Sequence, residues 1–428
     1  MHSSAIAKIA DAIRKVALAA EDPGTGTSYG FRMHDDVCYS LPPDANALYN
    51  EQVARILNHT GFSSKFSEKY LTSKLNKILA VALTDHESDI ERPLKDLIDE
   101  CKAFNNEVTV YIAVDGIRCT KSVEIGNVFF NPGNDSQVNN IVDQTTTIIS
   151  TAKNNEETKS YAKATMSAVI DKEFRGACFV TYTVNAEQDR AFERAEVEAE
   201  LPIDLLRMAS KYIYPIKEDI RIGIRGDYPT TSTTGLVLSQ QGFSTHSRSC
   251  GSTLCFELNE STLLKMQELG LFGLAQRHKA EQLSDLDKIL LRSIHWLSVA
   301  LTQSEPETAL ITLIVSLETL FKQEGGNSIT GTVAESTAFV LTDKPDGRRR
   351  IAKSIREFYG KRSAVAHGGK KPISESDVAL LTQFVCATIL TILNNLPHLR
   401  SQAELMAWID SIKFGDAITY GTSNTQQQ

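Results

Sequence analysis

Apolar residues recur every three or four positions through most of the first hundred residues. The opening MHSSAIAKIADAIRKVALAAED reads as an amphipathic helix, without the apolar core of a signal peptide. The same spacing predicts helices over 45–58, 64–84 and 92–104, with a loop containing Pro42 and Pro43 between the first two helices. From 107 the pattern changes. EVTVYIAV (107–114), VEIGNVFF (123–130) and GACFVTYTV (176–184) are rich in β-branched and aromatic residues and predict strands. A polar, Asn- and Thr-rich stretch fills 131–160, and a helix is expected from Glu187 to Lys211. Further strands are expected at IRIGI (220–224), TGLVLS (234–239) and TLCFELN (253–259). Residues 1–280 thus read as an α+β region whose topology the pattern leaves open.

From about 283 the pattern is helical throughout. Leu286, Leu290, Ile294, Leu297 and Leu301 form one stripe, and Leu310, Leu313, Ile314, Leu317 and Phe321 another. A break at Gly325-Gly326 precedes a shorter helix around 332–342 and a basic helix from about Gly347. Ser374 and Asp377 mark the start of an apolar helix that Pro397 stops. Four or five helices with short loops make a bundle over 281–414, and 415–428 reads as a disordered tail. The fold class expected is an α+β N-terminal region followed by an all-α bundle.

Composition narrows the setting. With 42% hydrophobic and 23% charged residues in 428, the chain has the balance of a soluble globular protein. No apolar run approaches the ~18–20 residues of a membrane span, so no membrane partner is expected. Seven scattered cysteines, an odd number, favour reduced thiols and a cytoplasmic location. Net charge is −8, which excludes a protein that coats nucleic acid over its whole surface. Between Lys344 and Lys371, however, ten cations face only Asp346 and Glu357, giving this segment +8 and the remainder −16. Such a concentration suits a polyanion, although a solvated basic helix face would look the same.

Several candidate sites carry little. Cys250 and Cys255 lack a second ligand pair at zinc spacing, and the lone G-x-x-G at Gly223 and Gly226 reads as a turn. EGGNSITGT lacks the lysine of a phosphate loop, and Asp85, His86, Glu87 and Asp89 suit a charged helix N-terminus. Arg362 and His367, in YGKRSAVAHGG, carry more. The spacing alone is weak, since 20 arginines and 9 histidines produce about 0.4 chance R-x4-H matches. Its context is not weak. Arg362 continues a stripe of Ile351, Ile355 and Phe358, where an unpaired guanidinium is costly. Glu318 sits between Ile314 and Phe321, beside the apolar stripe of its own helix. Two opposite charges at bundle-facing positions predict a partly buried ion pair, which serves either structure or chemistry.

IVSLETLF followed by IREFYGKRSAVAHGG resembles the HEPN superfamily, most closely its Apea-like branch, over roughly 283–397. That family carries an R-x4–6-H motif in a helical bundle, with a polar residue after the arginine and an acidic residue on a preceding helix. Ser363 and Glu318 fill those places. The resemblance implies a metal-independent endoribonuclease without a cofactor, often a toxic effector in bacterial defence against phage. It casts Arg362, His367, Ser363 and Glu318 as catalytic, with Lys361, Lys370, Lys371, Arg348, Arg349 and Arg350 following the RNA backbone. A non-catalytic HEPN module that binds RNA or a nucleotide and mediates assembly is the alternative. Residues five apart on a straight helix point ~140° away from each other, so pairing of two protomers would bring two motifs together. A homodimer or higher even oligomer is therefore expected. Some HEPN toxins carry a modifiable tyrosine two residues beyond the histidine; Gly369 stands there in this chain. Residues 1–280 are expected to sense a phage-derived or cellular trigger.

Overall fold

The chain crosses between two units: Met1–Val110 with Tyr182–Glu196 form one, and Tyr111–Thr181 with Val197–Gln428 the other. The computed structural model describes residues 1–21, 31–34, 37–59, 61–215, 220–226, 232–239, 242–249, 254–322, 329–366 and 372–415. Gly325-Gly326 and 416–428, expected as a break and as a disordered tail, lie outside the described residues.

In the first unit, helices α1 (Ser3–Leu18), α2 (Pro43–Leu57), α3 (Glu68–Thr84) and α4 (Glu91–Ala103) form where the three-and-four spacing places them. Between α1 and α2, β1 (Phe31–His34) and β2 (Val37–Ser40) pair antiparallel, where the sequence suggested only a loop. Four residues each are too few to show a period. Pro43 lies in the first turn of α2, where its missing N–H costs nothing. Ile9, Ile13, Val16, Tyr49, Val53, Ile56, Leu71, Leu75 and Leu79 are buried together as the core. Glu187 is a buried carboxylate satisfied by the Ser67 N–H at 2.9 Å and by the N–H groups of Asp189 and Arg190.

Strands β3 (Glu107–Asp115) and β7 (Cys178–Asn185) and helix α7 (Gln188–Ile213) each run through the unit boundary. The second unit adds β4 (Ile117–Cys119), β5 (Val123–Ile125), β6 (Val128–Pro132) and β8 (Gly223–Ile224), and the main sheet has the order β5-β6-β7-β3-β8. VEIGNVFF is therefore a hairpin and not one strand: it folds at Gly126-Asn127, with Gly126 at φ 63. IRIGI contributes only β8 and an isolated bridge from Ile220 to Leu254.

The stretch read as polar over 131–160 contains α5 (Asp135–Thr151) and the start of α6 (Glu156–Phe174). Asn134 and Asn155 cap them by accepting from the N–H groups of Gln137 and Thr158. Only Val138 and Ile141 on α5 and Ile170 on α6 are buried, against Phe179 of β7. A seam that narrow leaves almost no apolar period to read. β9 (Ser232–Ser239) and β10 (Gly242–Ser249) form an antiparallel pair, β11 (Phe256–Leu258) runs parallel to β4, and two short helices follow, α8 (Glu260–Glu268) and α9 (Leu271–Lys279).

The remaining chain is helical: α10 (Asp285–Thr302), α11 (Pro306–Phe321), α12 (Ile329–Leu341), α13 (Pro345–Ala366), α14 (Glu375–Asn395) and α15 (Gln402–Lys413). The α11 stripe is fully buried, and the α10 stripe is buried except for half-exposed Leu301. Ser293 and Ser316 exchange buried hydrogen bonds at the α10–α11 contact. Capping boxes fix two starts: Ser284 with Asp287 on α10, and Ser374 with Asp377 on α14. Asp287 is also held by two hydrogen bonds from Arg277 of α9, at 2.6 and 3.1 Å. Burial pushes the Asp287 carboxyl up, but Arg277 and Ser284 outweigh it and hold the pKa below the usual range. α14 is by length and composition apolar enough to cross a membrane, contrary to the sequence reading. Its Leu381, Val385, Ile389 and Ile392 are buried, and it packs on α10, α11 and α12 as a core helix.

The architecture is mixed α+β with a helical C-terminal region.

Candidate functional site

α13 is basic on its outer positions and apolar where it meets the bundle. Ala352, Ile355, Phe358 and Tyr359 are buried there, whereas Ile351 is only half-buried. The inward face therefore continues from Ile355 to Tyr359 to Arg362, at four and three residues. From α11, Glu318 reaches the same place. Arg362 Nη1 donates to Glu318 Oε1 at 2.6 Å, and the Tyr359 hydroxyl donates to that oxygen at 3.1 Å. The ion pair expected from helix phase forms, with side-chain exposures of 34% for Arg362 and 15% for Glu318. Partial burial matters here: Arg362 is held from behind while some of its surface stays open to solvent. Its guanidinium carbon lies 5.9 Å from the Tyr359 ring centroid, a weak cation–π contact. Burial first, then the Glu318 charge, pushes the Tyr359 phenol well above its usual pKa. Tyr359 therefore stays protonated and acts as a donor that orients Glu318.

Tyr359 was not among the residues singled out from sequence. Its signal is in the sequence, because it lies four residues after Ile355 and three before Arg362 on one face of the helix. Ser363 is exposed at the next position along α13. His367, Lys370 and Lys371 lie outside the described residues, so the structure does not join His367 to Arg362.

The cations expected to follow RNA divide into two kinds. Lys361 is committed to Asp377 of the α14 capping box at 2.5 Å. Burial pushes the Asp377 carboxyl up, yet Lys361 and Ser374 hold it below its ordinary value. Arg348 turns back to donate to the Thr342 carbonyl and stacks over Phe339 with its guanidinium carbon 4.2 Å from the ring centroid. Arg349 pairs with Asp346 one turn away, with both side chains largely exposed, and Arg350 is exposed. Arg356 is joined to Glu335 of α12. Carboxylates outside the basic segment thus offset part of its +8.

Two of the weaker signals settle as structure, and residues 324–328 of EGGNSITGT lie outside the described residues. Asp89 accepts from the N–H groups of Glu91 and Arg92 at the start of α4, and Gly226 lies in a turn at φ 107. Cys255 is a free, half-buried thiol; Cys250 lies outside the described residues.

A second cluster in the same unit was missed. Glu200 and Asp204 lie one turn apart on α7, and His295 faces them from α10. His295 Nδ1 is 3.0 Å from Asp204 Oδ2 and 3.4 Å from Glu200 Oε1. Hydrogen bonding to Asp204 raises the His295 pKa against the opposing effect of burial, with Glu200 adding to the rise. A cavity of about 360 Å³ opens on this cluster, and Pro202, His278, Ile294 and the Gly126-Asn127 turn also line it. Nothing in the sequence flagged these residues, because 91 positions separate Asp204 from His295.

No family model, no curated protein and no solved structure matches the chain.

Proposed function

We propose that the protein is a metal-independent endoribonuclease of the HEPN type, acting as a toxic effector in anti-phage defence. The observation that carries this reading is the arginine held between α11 and α13. Glu318 and Tyr359 fix a guanidinium that the packing of α13 alone would disfavour, at a position followed by a polar residue and a histidine. RNA supplies its own nucleophile, the ribose 2′-OH, so the protein has to provide proton transfer and charge stabilisation rather than an activated water. In this reading His367 moves the proton, as imidazole near neutral pH can. Arg362 holds the phosphate and offsets the charge that builds on its oxygens in the transition state. Ser363, exposed beside Arg362, donates to the phosphate or orients His367. Glu318 acts through Arg362 and is a positioning residue. Arg349 and Arg350 draw the backbone in by charge, as do Lys370 and Lys371. Lys361 and Arg348 contribute less, since Asp377 and Phe339 already hold them. Two protomers pair so that two motifs share one cleft.

Incubation of the purified full chain with total RNA, beside an identically purified His367→Ala variant, tests the reading. Cleavage by the wild type that falls about 10²–10⁴-fold in the variant supports it. Binding of RNA without cleavage by either protein would favour the assembly module instead, and equal cleavage by both would exclude His367 from the chemistry.

A further inference from the structure

We infer that Glu200, Asp204 and His295 form a binding site for one divalent transition-metal ion, of the Zn²⁺ or Mn²⁺ class, open on one side to the cavity beside α7 and α10. The first support is spacing. The three donor atoms lie within 4.8 Å of one another, and the two distances from His295 Nδ1 are 3.0 and 3.4 Å. An ion bonded to nitrogen and oxygen at about 2.0–2.2 Å sets neighbouring ligand atoms about 3.0–3.4 Å apart at ordinary coordination angles. Both distances match the edges of a coordination polyhedron around a single centre.

Charge supplies the second support. Glu200 and Asp204 repel across one helical turn, and Asp204 is buried with only 8% of its side chain exposed. Arg207 approaches the other oxygen of Asp204, Oδ1, at 3.6 Å, and is itself held by the Ile222 carbonyl and the Ser298 hydroxyl. That arrangement steadies Asp204 and leaves Oδ2 directed at His295 and Glu200. A dication there offsets the remaining like-charge repulsion, taking the place of the proton on Nδ1, which passes to solvent.

Architecture is the third. Two ligands come from the 26-residue helix α7 and one from α10, elements that hold side chains more rigidly than loops do. Pro202, between the two carboxylates, has no N–H for the Glu198 carbonyl, so the helical ladder is interrupted beside the site. The cavity leaves room for water to complete the coordination shell. The imidazole favours Zn²⁺ over Ca²⁺, and the two carboxylates also suit Mn²⁺. The ion's effect is to pin α7 to α10.

The test uses the full chain stripped by dialysis against a chelator. ZnCl₂ and MnCl₂ are titrated by calorimetry, and CoCl₂ by its visible spectrum, with melting followed in parallel. The expected result is one Zn²⁺ or Co²⁺ per chain, a higher melting temperature with Zn²⁺, and affinity weakened roughly tenfold or more in Glu200→Gln and in His295→Gln. Glu200 is 56% exposed, so its glutamine variant should keep its fold, which circular dichroism verifies. Absence of stoichiometric binding by all three ions would overturn the proposal. So would unchanged affinity in Glu200→Gln, or a Co²⁺ spectrum with a thiolate charge-transfer band, which would place the ion on cysteines. The inference stands apart from the RNA-cleaving reading: a failed titration leaves Arg362 and His367 untouched, and inactive variants of those residues leave the titration unchanged.

Discussion

The α11–α13 contact and the α7–α10 contact both set carboxylates against a basic side chain, but they solve the burial problem in opposite ways. At α11–α13, one glutamate meets a permanently charged arginine and accepts a second hydrogen bond from a tyrosine. Among the described residues the two charges pair, and 34% of the Arg362 side chain stays exposed. At α7–α10, two carboxylates meet Arg207 and a histidine whose charge depends on its proton, and the ion inferred above would take that proton's place. In the readings proposed above, the first arrangement meets a phosphate and the second a metal. Cation and anion sites of this kind differ less in the residues present than in which charge is left over.

The largest expected effect separates the two contacts by activity. Arg362→Ala should lower RNA cleavage about 10²–10³-fold, whereas Glu200→Gln should leave it unchanged. Equal losses in both variants would erase the distinction between a chemical site and an architectural one. Next in size is Leu317→Ala, one residue before Glu318 and fully buried, which should destabilise the fold by about 2–5 kcal/mol in denaturant melts. It sets the scale of pure packing on α11. Glu318→Gln should cost less, roughly 1.5–3 kcal/mol, because Arg362 is partly exposed and water replaces some of the lost interaction. A Glu318→Gln loss as large as that of Leu317→Ala would mean that the pair is structural first.

Acid provides a finer comparison. Arg277 and Ser284 depress the Asp287 pKa, so its contribution is present above the unfolded value of about 3.9 and is lost as pH falls through the lower folded value. Asp287→Asn should therefore be less stable than wild type at neutral pH, with the gap closing below about pH 4. A gap that persists unchanged at low pH would assign the effect to packing rather than to charge.

How much of this was legible in the sequence depended on burial. The helices α10, α11 and α14 announced themselves because each buries a continuous stripe or carries a capping signature. The Arg362–Glu318 pair was legible for the same reason: charges interrupting an apolar stripe stand out. α5 and α6 were missed because three buried residues do not make a period, and their asparagine caps read as loop composition. β1 and β2 were too short to read. The Glu200–Asp204–His295 cluster was invisible because an acidic pair on a charged helix is commonplace, and only tertiary packing brings His295 to it.

The most direct test of the central claim is the chemistry of the cleaved ends. RNA cut by the full chain is analysed by mass spectrometry, with metal-stripped protein as well as untreated. Attack by the 2′-OH predicts a 2′,3′-cyclic phosphate on the upstream fragment, a 5′-OH on the downstream one, no cleavage of DNA, and the same ends from the stripped protein. A 5′-phosphate on the downstream fragment, or cleavage that vanishes on stripping while the protein remains folded, would contradict the account.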